Sequence, residues 1–276
     1  MTYSFARILL ATEHSEFDVG AERLAFELAK EYATPLLGVL PLVSNVEYQT
    51  VAPELVAQAE EEAFAKLTQL RAAAKAAGIE LDIRVRRGEE PAHEIIMEAQ
   101  RCKADLVVAR RRGKRGFFAK LLVGEMVSKV ATHAPCSVLL VPRAGRLWST
   151  RVVAGVDASP AAQRAVDTAA NIAASADLPL LVTTVVVHND ATHLAAAEAA
   201  LAGAVAVAQR VSAKVEGRVL QGRPEEGIAG LAAETGADLI VVGRTGESGQ
   251  LRRLLLGGTA HRIIGRAPCP VLVVKT

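Results

Sequence analysis

Short runs of valine, leucine, isoleucine and alanine recur along the chain, and between them the apolar positions fall at helical spacing. The first half opens with Arg7-Ile-Leu-Leu-Ala-Thr-Glu13 and continues into an amphipathic helical pattern over 18–32. Pro35-Leu-Leu-Gly-Val-Leu40 then predicts a second strand, 53–77 a long helix and 80–86 a third strand. The turn Gly88-Glu-Glu-Pro91 starts another helix, with proline near its first turn. A fourth strand at Leu106–Ala109, a last helix and a fifth strand at 137–142 complete the half. From Arg151 the order repeats: strand one ends at Asp157, and a helix follows over 160–175. Pro179-Leu-Leu-Val-Thr-Thr184, a helix at 191–209 and a strand at 211–220 come next. The turn Gly222-Arg-Pro224 starts the third helix, and strands follow at Leu239–Val242 and 270–274.

A repeat of this length predicts two domains, at 1–142 and 151–276, joined by a linker at 143–150 (RAGRLWST). The first copy carries extra residues, mainly around 43–53, read as a surface-loop insertion. Strand and helix alternate five times per copy. The expected class is α/β: two tandem Rossmann-like domains, each a five-stranded parallel sheet with helices on both faces. Such sheets bind ligands beyond the carboxyl ends of their strands, where the strand order switches. The end of strand one and the loop after strand four should face that crevice.

Composition narrows the function. The chain of 276 residues is 51% hydrophobic but only 4% aromatic, which favours a Val/Leu-rich sheet over a base-stacking or sugar-stacking surface. The net charge of +2, from 32 basic and 30 acidic residues, gives no general pull toward nucleic acid or membrane. No apolar run reaches the roughly 20 residues of a membrane span. The opening MTYSFARILLATEH lacks the pattern of a secretory signal. Three cysteines form no closed disulfide framework, and Cys136 and Cys269 read as buried thiols at equivalent strand entries. A reduced, cytoplasmic protein is expected, without nucleic-acid or membrane partners.

The candidate chemistry lies in one loop that differs between the copies. After strand four the second copy reads Gly243-Arg-Thr-Gly246, then Gly257-Gly258-Thr259 at the start of the last helix. Phosphate oxygens need close backbone amides, which glycine allows, and the positive end of a helix suits an anion. Flexible closure of a βα turn is the plainer reading of such glycines. Asp157-Ala-Ser-Pro160 is partly a helix-start signal, with Ser159 as the cap and Pro160 at the first helical position. Asp157 stands earlier, where a carboxylate can reach a ribose hydroxyl or a phosphate-bound metal.

With these segments, VVAGVDASPAAQRAV and the terminal APCPVLVV, the chain resembles the universal stress protein family in its tandem two-domain form. The resemblance covers nearly the whole chain and implies an adenine nucleotide alpha hydrolase-like fold. ATP-binding members carry Gly-x2-Gly-x9-Gly-(Ser/Thr). By that resemblance Gly243, Gly246, Gly257 and Gly258 would surround the phosphates, with Thr259 next in line. Asp157 would match the acid at the ribose and metal, and Thr183 or Thr184 would lie beside the adenine. The implied ligand is ATP or AMP, with Mg2+ carried on the phosphates. Two departures stand out: ten residues separate Gly246 from Gly257 instead of nine, and Gly258 replaces the hydroxyl residue.

In the first copy Arg110 replaces the first glycine, only Gly113 and Gly124 remain, Glu125 takes the Ser/Thr place and Glu13 the aspartate place. This pocket reads as closed, with Arg110 pairing with Glu13 or Glu125. A new anion site on Arg110–Arg115 is the alternative. None of the six histidines has metal spacing; His14, beside Glu13, is the one at a pocket mouth. The loop lacks the Lys-Ser/Thr pair of a P-loop and no general base is evident, so at most a weak ATPase is expected. Three functions compete: a stress-response regulator binding adenine nucleotide in its second domain, an interaction module with empty pockets, and a hydrolase-like enzyme. The apolar fifth strands, Val138–Val141 and Val271–Val274, predict an internal pseudo-dimer through these edges, with a homodimer possible.

Overall fold

The computed structural model describes residues 5–111, 124–187, 190–245 and 256–275, and of 46–48 the backbone alone. These residues fall into two compact units that divide between Gly145 and Arg146, inside the expected linker.

In the first unit the chain runs β1 (Ile8–Ala11), α1 (Val19–Glu31), β2 (Leu36–Val43), α2 (Val46–Val51), α3 (Pro53–Ala76) and β3 (Leu81–Gly88). It continues through α4 (Pro91–Arg101), β4 (Leu106–Arg110), α5 (Glu125–His133) and β5 (Ser137–Val141). The strands order as β3-β2-β1-β4-β5 and all pair in parallel. The second unit has β6 (Val152–Gly155), α6 (Pro160–Ser175), β7 (Leu180–Val186), α7 (Ala191–Ala208), β8 (Val215–Gln221), α8 (Pro224–Thr235), β9 (Leu239–Gly243), α9 (Gly258–Arg266) and β10 (Val271–Val274). Its order, β8-β7-β6-β9-β10, is again wholly parallel. In each unit the order reverses between the first and fourth strands, which sets the crevice at the carboxyl ends of β1/β4 and β6/β9.

The sequence explains the layering. β1 and β6 are buried at every residue, as parallel strands covered on both faces must be. β3 and β8, last in their rows, alternate instead with exposed charges such as Arg84, Glu216 and Arg218. Ser159 caps α6 by accepting the Ala162 amide at 3.1 Å, with Pro160 in the first turn. The Ala-Asp that precedes the fourth strand in both copies has a structural role. Asp105 accepts the amides of Ala6 and Arg7, and Asp238 those of Ser149, Thr150 and Arg151, so each carboxylate ties down the chain entering its first strand.

Two expectations need correction. The insertion at 43–53 is not all loop: it holds α2, just ahead of the proline that opens α3. And one stretch does have the length and composition of a membrane span. α7 is 18 residues long with a mean hydropathy of 1.5, yet only Leu201, Ala204 and Ala208 are buried. Alanine counts as apolar on such scales while offering little area to bury, so the helix covers β7 and β8 through a narrow stripe.

Candidate functional site

The crevice of the second unit holds a cavity of about 480 Å³, within the range of small-ligand pockets. β6 contributes Gly155, followed by Val156 and Asp157; β7 contributes Thr184 and Val185, and β9 Val242 and Gly243. Pro224 and Ile228 of α8 form an apolar side wall, and Gly257 leads into Gly258, Thr259, Ala260 and Ile263 of α9. One end is therefore aliphatic. The other is lined by glycines, threonines and a helix start, and among the described residues Asp157 is the only carboxylate on the lining.

Of the residues singled out from the sequence, Asp157, Thr184, Gly243, Gly257, Gly258 and Thr259 share this cavity. Gly246 lies outside the described residues. Thr183 does not belong with them: it is fully buried, and its hydroxyl donates to the Arg218 carbonyl at 3.0 Å. Successive strand residues face opposite sides of the sheet, so only one of the two threonines can look into the crevice. Pro224, Ile228, Val187 and Ile263 were not anticipated. The signal for Ile228 was its place one helical turn after Pro224.

Local geometry explains the glycines differently. A Cβ built on Gly243 would stand 3.0 Å from the carbonyl carbon, carbonyl oxygen and Cβ of Ala161, so this glycine lets the first turn of α6 press against the end of β9. A Cβ on Gly258 would meet only the Arg262 guanidinium, at 3.3 Å. The amides of Gly258, Thr259 and Ala260 open α9 and have no intrahelical acceptor; the positive helix end thus faces the cavity. Gly257 is tied in place, its amide donating to the Arg244 carbonyl at 2.9 Å. Asp157 is half-buried and its Oδ1 accepts the Ser159 amide at 3.0 Å. His261, on α9, is half-buried; burial, then the Arg262 charge, lowers its pKa below the usual imidazole value.

Among the described residues no three His, Cys, Asp or Glu side chains gather as a metal site. A single carboxylate facing glycine-lined space fits Mg2+ bound mainly through phosphate oxygens.

At the same place in the first unit, the described residues include a side-chain cluster centred on an arginine. Arg110, at the place of Gly243, bonds Glu13 at 2.8 Å, Asp18 at 3.1 Å and the Ser15 hydroxyl at 3.2 Å. Glu13 is thus its partner, whereas Glu125 is exposed and pairs with Lys129 at 2.8 Å. Asp18, which the sequence reading missed, is almost fully buried and also accepts from the Ser15 amide and hydroxyl. Nearby, Glu22 accepts from the Thr12 hydroxyl at 2.6 Å and lies 3.0 Å from His14 Nδ1. His14 is therefore anchored inward. The space for Arg110 exists because α1 begins at Val19, roughly one turn later in the repeat than α6. Most of the basic run Arg110–Arg115, residues 112–115, lies outside the described residues, as do Gly113 and its neighbours.

Comparison with known proteins gives a consistent result. A profile of the universal stress protein family matches residues 4–142 and again 149–275. The universal stress protein Slr1230 of Synechocystis is 28% identical over 171 residues, 62% of this chain and 58% of that protein, so the chain spans little more than half of that relative's length. The universal stress protein Rv1636 of Mycobacterium tuberculosis is 37% identical over 141 residues, 45% of this chain and 95% of its own. Among solved structures, a universal stress protein from Archaeoglobus fulgidus superposes with a TM-score of 0.78 at 22% identity, over 99% of both chains, a likeness of fold.

Proposed function

The chain belongs to the universal stress protein family and carries two of its domains in tandem, and we propose that it is a stress-response regulator whose second domain binds ATP or AMP. The observation that carries this reading is the cavity itself: an aliphatic end that suits a base, and an opposite end lined by Gly243, Gly257, Gly258 and the first turn of α9. Thr184 lies on the wall where the resemblance puts the adenine. Asp157 stands where it puts the ribose hydroxyls and phosphate-bound Mg2+. The first domain, where Arg110 bonds three partners at the equivalent place, is a scaffold or a diverged sensor. Slow or absent hydrolysis is in keeping with a lining whose one described carboxylate already accepts a backbone hydrogen bond. None of the three cysteines is in a disulfide, which supports a reducing, cytoplasmic setting.

Denaturing the purified protein and identifying released small molecules by mass spectrometry is expected to yield an adenine nucleotide, and calorimetry to give micromolar-range ATP or AMP affinity. Absence of both would leave the interaction-module reading in its place.

We also propose that the two halves pair along their fifth strands, each the last in its own five-strand order, with a second copy of the chain as a further possible partner. Spin labels at Ser137 and Lys275, beside those strands, are expected to couple at short range. Distances typical of independently tumbling domains would overturn the pairing.

A further inference from the structure

Gly258 stands where nucleotide-binding relatives are expected to carry a hydroxyl, and the structure shows what uses the space. Arg262 sits one helical turn further along α9, on the same face. Its Nη1 lies 3.3 Å from the position a Gly258 Cβ would take, with Cζ at 3.9 Å and Nη2 at 4.0 Å. Those three guanidinium atoms are the nearest neighbours of that position among the described residues, apart from the helix backbone and the adjoining residues. The guanidinium is held from behind: its Nε donates to Glu225 Oε1 at 2.8 Å, and the Glu225 side chain is only 6% exposed. That bond uses Nε and leaves the Nη groups toward Gly258, which lines the glycine end of the cavity.

The charges around this pair favour an anion. Arg266 approaches the same Glu225 oxygen at 3.7 Å and Glu226 at 3.6 Å, while Glu226 is also 3.5 Å from Arg223. Glu225 is thus shared between two arginines, and the cluster of Arg223, Arg262 and Arg266 with Glu225 and Glu226 carries a net positive charge, with Arg262 its member nearest the positive end of α9. A serine at 258 would crowd the guanidinium, whereas glycine lets it approach the helix start.

Building on the nucleotide reading above, we propose that Arg262, positioned by Glu225, is a phosphate-binding residue of the second domain and replaces the missing hydroxyl at Gly258 with a charged donor. The ligand class is a nucleoside phosphate whose phosphate group rests on the first turn of α9. Arg262 is half-exposed, so its contribution is screened by salt and lies at the modest end for a charge-assisted hydrogen bond.

The test is calorimetric titration of adenosine, AMP and ATP into the intact protein and its variants. R262Q is expected to weaken ATP and AMP roughly tenfold, with adenosine unchanged. Adding G258S to R262Q is expected to recover part of the loss, while G258S alone brings no gain because it crowds Arg262. Since R262Q leaves Glu225 with only Arg266, an E225Q/R262Q double variant removes the carboxylate charge as well and provides a second folded protein for the same titration. Wild-type-like ATP binding by either variant overturns the role of Arg262 and leaves the nucleotide reading intact. If the wild type binds neither adenosine nor its phosphates, the nucleotide reading itself falls, and the role of Arg262 falls with it.

Discussion

Gly243→Arg is expected to weaken ATP or AMP binding by roughly 100-fold or more while the second domain stays folded. The first half of the chain displays the result of that exchange. There an arginine at the end of the fourth strand turns back across the crevice and bonds the acid after the first strand, Glu13, at 2.8 Å. In the second half the matching acid is Asp157, so an arginine in place of Gly243 would engage the carboxylate assigned to the ribose and metal. It would also collide at once: the first side-chain carbon falls 3.0 Å from the Ala161 backbone. The first unit avoids that collision by starting α1 later, whereas α6 begins at Pro160. The introduced side chain would therefore displace the first turn of α6 and occupy the space the phosphates need. Gly243→Ala separates the two effects. It brings the collision without the charge and is expected to cost only a few-fold in affinity. Isothermal titration with circular dichroism on each variant decides it; a folded Gly243→Arg protein that binds ATP within threefold of wild type would falsify the assignment.

How much of this was legible in the sequence follows from which interactions are local. Strand and helix positions were readable because apolar periodicity and the proline and glycine turns are set by neighbours a few residues away. The repeat doubled every signal, so that weak strands such as β8 could be placed by analogy with β3. The pairing of Arg110 with Glu13 was readable from charge and position. Asp18 was not, because nothing in Phe17-Asp18-Val19 tells a buried carboxylate from an exposed helix cap. The choice between Thr183 and Thr184 depended on the face of one strand, which two adjacent identical residues cannot reveal. Arg262 escaped notice for a related reason. Its significance lies in the hole left by Gly258 and the acid Glu225 behind it, and Glu225 is 37 residues away in the chain.

Arg110→Gly, the reverse exchange, is expected to destabilise the first domain by about 3 kcal/mol, as breaking buried ion pairs does. The Asp18 side chain is 1% exposed and would keep only its bonds from Ser15, leaving a carboxylate in a site too dry to solvate it. Glu13, 39% exposed, can turn to water and adds less. A crevice emptied this way does not become a nucleotide site, since Glu125 still holds the place of Gly258 and Asp18 and Glu13 still repel phosphate. On the proposed reading, which puts the nucleotide in the second domain, ATP affinity should change less than twofold. The single tryptophan makes the two domains separable in one experiment. Trp148 is buried in the second unit, so its fluorescence follows that domain, while far-ultraviolet circular dichroism follows both. In a urea titration Arg110→Gly should add an early dichroism transition with no matching fluorescence step. Asp18→Asn placed on the same background should move that transition back toward wild type, because a neutral amide tolerates the dry site better than a carboxylate. If Arg110→Gly unfolds at the wild-type midpoint, the four-membered cluster is not what holds the first crevice shut, and the account of that half as a closed scaffold fails with it.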